Sequence, residues 1–370
     1  MSETQKHTKP NVPNLRFPGF EGEWECRKIG DDCSVLMCKR IFANQTSEQG
    51  DVPFYKIGTI GAEPDAYISR ELFKDYKAKY NYPCKGEVLV TCAGTVGKTI
   101  VFDGEDSYYQ DSNIVWLSNP KQLYINSFLN YFLSRVNWNK LNSTTITRIY
   151  KDNLRELVIK YPSVKEQEKI VTLLSLLDQR ISIQNRVIKR YESLIKALAA
   201  KITGLRKPNA KLSDCVFCSS STLKESELTN NGIPAYGASG ISGYTAKAQC
   251  QSDSILITKD GSGVGTKQFV RGAHSFVGTL CSLTAKDGMY LPYIYYALVN
   301  MNFDAYKTGQ AIPHIYFKDY GKEQLFCPPY SEQVELAQGV ESLDRKVSYE
   351  RGILSNFRKL KTSLLNQLFI

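Results

Sequence analysis

An internal duplication constrains this chain of 370 residues more than any other feature. "KGEVLVTCAGTVGKTIVF" (85–102) returns as "SDSILITKDGSGVGTKQFV" (252–270), in each case an apolar strand, a glycine-rich turn and a second strand. "NSFLNYFLSR" (126–135) returns as "LPYIYYALVN" (291–300), an apolar helix in each copy. "TTITRIYKDNL" (144–154) returns as "QAIPHIYFKDY" (310–320), and "PSVKEQEKIVTLLSLLDQRIS" (162–182) as "PPYSEQVELAQGVESLDRKVS" (328–348). The offset falls from 183 residues at "RKIGDD" and "AKLSDC" to 166 at Asp178 and Asp344, so the second copy is 17 residues shorter in its first part. Each copy therefore reads as a head of variable length and a tail of fixed length. The expected order is an N-terminal segment 1–23, a head 24–163, a tail 164–203, a linker and second head 204–329, and a second tail 330–370. The break falls at "TGLRKPN" (203–209), where Gly and Pro interrupt the pattern.

The tails are predicted to be long helices. Ser163 and Glu166 form the S-x-x-E pattern of a capping box just after Pro162. Apolar residues then recur at gaps of four and three through Ile170, Leu174, Leu177, Ile181, Gln184, Ile188, Tyr191, Ile195, Leu198 and Ile202. The second tail repeats the series as Leu336, Val340, Leu343, Val347, Glu350, Leu354, Phe357, Lys361, Leu364 and Leu368. This is a 3.5-residue period with a polar interruption at the same place, Gln184 and Glu350. About 40 residues at ~1.5 Å rise make a rod of ~60 Å, too long for one ordinary domain core. Two such helices in a duplicated chain pack most simply on each other, antiparallel about a pseudo-two-fold axis. Leu177, Ile181, Gln184 and Ile188 are then expected to meet Leu343, Val347, Glu350 and Leu354, with Gln184 and Glu350 in adjacent layers fixing the register. The heads become two modules held apart by a spacer, a geometry suited to a bipartite DNA site. The fold class expected is α+β.

Charge bears on partners. Lys and Arg number 47 against 37 Asp and Glu, a net +10, divided as +6 over 24–203 and +4 over 204–370. A surplus shared by two body-sized segments favours nucleic acid over a neutral metabolite. No apolar stretch resembles a secretory signal or a membrane span, so a cytoplasmic location without membrane association is expected. The ten cysteines are scattered and only three histidines are present (His7, His274, His314), so free thiols and no metal site are expected.

Three motifs resemble catalytic sites and fall short. "CAGTVGKT" (92–99) has Cys92 where a phosphate loop needs glycine, and the second copy loses the adjacent Gly-Lys pair. "CPPY" (327–330) puts Cys327 where an amino-methyltransferase needs a strong hydrogen-bond acceptor. Pro64-Asp65 with Asp75-Tyr76-Lys77 fits a loose nuclease pattern that the second head lacks. The chain is expected to bind without catalysing. The strongest contact candidates lie in the two equivalent polar loops: Thr145, Arg148, Tyr150 and Lys151, with Gln310, His314, Tyr316 and Lys318. Lys98 and Lys267 in the glycine-rich turns follow as phosphate contacts. A self-sufficient DNA methyltransferase or nuclease, and a coiled-coil scaffold that does not bind DNA, are the competing classes.

The repeated Glu-Gln helix start, the Leu-Asp pairs (177–178 and 343–344), the opening "PNLRFPGFEGEWECRKIGD" (13–31) and the head–tail–head–tail order resemble the specificity subunit of type I restriction–modification systems, over essentially the whole length. The resemblance implies that each head is a target-recognition domain reading one half of an asymmetric, interrupted site in double-stranded DNA. It implies that the two helices are the spacer and that the chain binds two modification (methyltransferase) subunits and, through the complex, restriction subunits. S-adenosylmethionine then belongs to the modification subunits, and ATP and Mg to the restriction subunits, with no cofactor in this chain.

Overall fold

The structure, a computed structural model, describes residues 11–138, 148–204, 206–309 and 312–370. It divides into two compact units. One comprises residues up to Ser182 together with Ser355–Ile370, and the other Ile183–Leu354. The units cut across the head-and-tail boundaries of the sequence, because each long helix contributes to both. Among the described residues no helix is long and apolar enough to cross a membrane.

In the first unit a four-stranded antiparallel sheet runs, in spatial order, Ser34–Leu36, Ile114–Ser118, Val88–Thr91 and Thr99–Val101. The two central strands are near-continuous apolar runs because both faces are covered. Val88, Val90, Val115 and Leu117 enter one core cluster, while Leu89, Ile114 and Trp116 enter another. Alternation along the strand thus sorts residues between two cores rather than between core and water. A mixed sheet (Tyr67–Ile68, Val52–Tyr55, Tyr108–Tyr109) covers one side, and Glu25–Lys28 pairs antiparallel with Val158–Tyr161.

The second unit repeats this topology strand for strand. Its four-stranded sheet is Val216–Ser220, Leu280–Ala285, Ser254–Thr258 and Lys267–Val270. The mixed sheet is Gly240–Thr245, Ile233–Gly237 and Ser275–Phe276, and the pair is Ala210–Lys211 with Gln324–Leu325. The shortening of the second head is local. The connection 56–66 of the first head is only 238–239 in the second, and the helix Arg70–Lys79 has no counterpart before Ser254.

The tails are helices Val164–Thr203 and Tyr330–Leu368, of 40 and 39 residues. Within the first unit they run antiparallel. Ile170 and Leu174 share a cluster with Leu364, Leu365, Leu368 and Phe369, and further along Asp178 faces Lys361, so rising numbers on one helix meet falling numbers on the other. Within the second unit the Gln184 amide donates to the Glu350 carboxylate, and also to its main-chain carbonyl at 3.1 Å. The polar interruption in the two seams is therefore one paired contact, flanked by the buried Ile188, Val347 and Leu354. Lys346 and Gln184 together hold the Glu350 carboxyl below its ordinary range.

The first helix start differs from the expected capping box. Glu166 does not fold back on Ser163. It accepts from Nε and one terminal nitrogen of Arg16, at 2.9 and 2.8 Å, and is buried. A bidentate charged pair displaces the weaker local cap. In the second unit Arg206, from the same Leu-Arg-x-Pro pattern, lies 3.5 Å from the equivalent Glu332.

Candidate nucleic-acid interface

In each head three segments distant in sequence meet at one end of the central sheet: the glycine-rich turn, the residues before the long sheet strand, and the "RIY" or "HIY" segment. A short backbone relay locks them together. In the first head the Cys92 amide donates to the Asn113 carbonyl (2.7 Å), and the Cys92 carbonyl accepts from the Ile149 amide (2.8 Å). In the second head Lys259 takes the place of Cys92, donating to Thr279 (2.9 Å) and accepting from Ile315 (2.9 Å). The frame is the same, and the side chains on it are exchanged.

The turns themselves explain the resemblance to a phosphate loop. Gly97 has φ +79°, and a Cβ there would lie 2.0 Å from the Trp138 ring. Gly265, with φ +87°, faces Phe303, where an added Cβ would lie 2.9 Å from the Phe303 Cβ and 3.2 Å from its ring. Glycine is required by left-handed backbone and by an aromatic ring seated on it, not by a ligand.

The first head opens as a cleft of about 350 Å³ lined by Met37, Cys92, Ser112, Val115 and Arg148–Lys151. Arg148 donates to the Ser112 carbonyl (3.4 Å), and its guanidinium lies 6.0 Å over the Tyr150 ring. Ser112 holds φ +51°, a left-handed conformation unusual for a residue with a side chain. Tyr150 is 61% exposed and caps the short helix Lys151–Arg155, its amide donating to Asn153 (2.8 Å). In the second head the His314 ring packs edge-on to Tyr316 at 5.6 Å, and Lys318 lies 5.2 Å over the same ring. Tyr316 opens the short helix Phe317–Tyr320 and is also exposed. Each head thus presents an exposed tyrosine flanked by cationic or titratable side chains. Thr145 and Gln310 lie outside the described residues.

Lys98 and Lys267 are placed differently from these. The Lys98 ammonium donates to the Ile60 carbonyl at 2.6 Å. That of Lys267 donates to the carbonyls of Val299 (3.3 Å) and Met301 (3.0 Å) and lies 4.9 Å over Phe303. Burial first, then the charge of Lys196, pushes Lys267 down to about 8. The two are not equivalent positions either. The Thr91 amide reaches the Lys98 carbonyl, whereas the Thr258 amide reaches that of Thr266. Both ammonium groups bond main-chain carbonyls of their own head.

The catalytic look-alikes do not assemble. Asp65 pairs with Lys56, Asp75 with Lys79, and Lys77 with Asp106. The backbone of Cys327 is strapped by the Asn209 side chain at both its amide and its carbonyl, and its Sγ lies 3.3 Å from that of Cys215. Among the described residues no group of three or more His, Cys, Asp or Glu side chains could hold a metal ion.

The Glu-Gln and Leu-Asp signatures have structural work that periodicity does not reveal. Gln167 is fully buried. It accepts from the Ile125 amide (2.8 Å) and donates to the carbonyls of Leu123 (2.9 Å) and Pro162 (3.0 Å). Gln333 makes the same bonds to Tyr290 (2.8 Å), Gly288 (3.5 Å) and Pro328 (2.8 Å). Asp178 accepts from the Tyr131 hydroxyl (2.8 Å) and Asp344 from that of Tyr296 (3.0 Å). These side chains clamp the apolar helix of each head to a long helix. The signal that marks them is their repetition at a constant offset.

Two heads of one topology on duplicated long helices, with exchanged side chains on a common frame, define a duplicated recognition protein. The sequence matches the family described as type I restriction modification DNA specificity domain twice, over residues 21–192 and 212–356, and the chain belongs to that family. It is 52% identical over 147 residues to a putative type I restriction enzyme specificity subunit of Haemophilus influenzae, a match covering 40% of this chain and 38% of that relative's length. The fold is similar to that of the S subunit of a type I restriction–modification system from M. genitalium (TM-score 0.64, 20% identity, 97% of this chain and 99% of that one). It is also similar to a chain from a structure concerned with complex assembly and conformational transition of the type I R-M system (TM-score 0.50, 15% identity, 96% and 98%).

Proposed function

We propose that this chain is the sequence-specific DNA-recognition subunit of a type I restriction–modification complex, and that each head reads one half of an asymmetric, interrupted site. The observation that carries this reading is the common backbone relay holding unlike side chains, Cys92 and Arg148 in one head and Lys259 and His314 in the other. A protein reading two unlike half-sites needs constant framing and variable contacts. Arg148, Tyr150 and Lys151, with His314, Tyr316 and Lys318, are the contact residues of this proposal.

The long helices form the spacer and carry two modification subunits. Exposed apolar residues along them (Leu176, Ile183 and Leu194 on one, Tyr349 and Leu360 on the other) suit that role. The chain contributes no catalysis. S-adenosylmethionine is held by the modification subunits, and ATP and Mg by restriction subunits, in the cytoplasm where the DNA lies. The test is co-expression with the modification subunits and genome-wide mapping of methylated sites. An interrupted motif with two unlike halves is expected, and a continuous palindrome refutes the reading.

A further inference from the structure

The floor of the first head's cleft and the equivalent positions of the second head carry opposite chemistry. Strand pairing sets the equivalences. Val90 faces Val115 as Ile257 faces Cys281, and Ser220 faces Cys281, which puts Ser220 where the first head has Met37. The relay puts Lys259 at Cys92 and Gly278 at Ser112. The first head therefore floors its cleft with Met37, Val115 and a wholly buried Cys92. The second offers Ser220, Cys281 and Lys259 at the same positions.

Lys259 follows Ile257 by two residues, and alternation along the strand puts it on the same face as Ile257 and its partner Cys281. Lys259 is half-buried, yet among the described residues its ammonium has no hydrogen-bond or ion-pair partner. In this it differs from Lys267, whose ammonium bonds two main-chain carbonyls. An ammonium without a protein partner keeps its donors available to a ligand.

Resting on the proposed DNA-recognition function, we propose that Lys259 is a specificity-determining residue of the second head, reading the acceptor edge of a guanine in the major groove. Lysine offers donors only. Guanine presents two adjacent acceptors, O6 and N7. Adenine sets a donor beside its N7, and thymine sets a methyl group beside its O4. A side chain rooted on the cleft floor meets the base edge that enters the cleft, whereas phosphates are met by side chains at the rim. The first head has only thiol and methyl-bearing side chains at these positions, and the donors of its cleft come from the Arg148–Lys151 segment instead.

The test uses the full chain co-expressed with its modification subunits in a host without other adenine or cytosine methylation, with methylated sites mapped by sequencing. Lys259→Met is expected to lower the preference for guanine at one position of one half-site by roughly tenfold and to leave the other half unchanged. Lys259→Arg, which keeps two donors, is expected to retain guanine. Lys322→Met, an exposed lysine of the same head, is expected to change nothing. An unaltered motif in Lys259→Met, or an even loss of methylation at all sites with the second head still folded by circular dichroism, overturns the inference. Should Lys259→Met fail to fold, Lys259→Arg decides, since loss of guanine in that variant overturns it. A wild-type complex without an interrupted motif would instead overturn the underlying function.

Discussion

Replacing Gln167 with alanine deletes three hydrogen bonds in one step and leaves the part-buried Ile125 amide and Leu123 carbonyl and the buried Pro162 carbonyl without these partners. Each such group costs about 1–3 kcal/mol. Water entering the vacated space offsets part of this, so about 3–5 kcal/mol of destabilisation is expected for the first unit. With a urea slope of about 2 kcal/mol/M, the midpoint should fall by about 1.5–2.5 M. The assay is built into the sequence. The three tryptophans are Trp24, Trp116 and Trp138, all buried in the first head, so tryptophan fluorescence reports that head alone. Gln333→Ala removes the equivalent bonds in the second head. It should lower a transition seen by circular dichroism while leaving the tryptophan transition in place. A Gln167→Ala midpoint within about 0.3 M of wild type would refute the idea that this residue clamps head to helix, as would a tryptophan transition shifted equally by both variants.

Arg148→Ala is expected to relax the recognised sequence in one half-site only, as read from methylated motifs. A uniform loss across sequences would make Arg148 a phosphate contact instead. Arg16→Ala should destabilise the first unit more than Arg206→Ala destabilises the second. Glu166 is nearly inaccessible and bound bidentately, while Glu332 is about a third exposed with its arginine 3.5 Å away, and paired urea titrations compare the two. Lys267 predicts a pH effect of definite sign. Its folded value of about 8 lies below the ordinary 10.5, so between these values the unfolded chain holds a proton that the folded chain has released. Stability of the second unit should therefore rise with pH across that window. Lys267→Met should remove the increment in pH-dependent denaturation followed by circular dichroism, and an unchanged pH slope would contradict the burial assigned to this lysine.

Much of the architecture was legible in the residues because it is periodic or repeated. A 3.5-residue spacing is a property of the helix surface itself, so the seams from Ile170 and Leu336 could be followed without coordinates. Their shared interruption at Gln184 and Glu350 then implied one contact, because antiparallel helices of equal length bring their middles together. The capping box expected at Ser163 and Glu166 does not form. A local pattern does not register that Arg16, 150 residues away, competes for the same carboxylate.

The sequence by itself determined the duplication, the two unequal heads, the matched helices and the polar pair at their seam. Only the tertiary structure decided what the repeated side chains do. Lys98 and Lys267 are expected as phosphate contacts because each lies in a glycine-rich turn. Folding placed the Ile60, Val299 and Met301 carbonyls within their reach, and a long flexible side chain goes to the nearest acceptor. Gln167 and Gln333 looked like a helix-start signature and are buried clamps. Lys259 shares its place in the repeat with Cys92, but that both sit in a relay to Asn113 and Ile149 and their counterparts is set only by the folded backbone. Spacing along a chain reports which residues share a face. Which distant amide or carbonyl that face will meet is settled only when the segments close on one another.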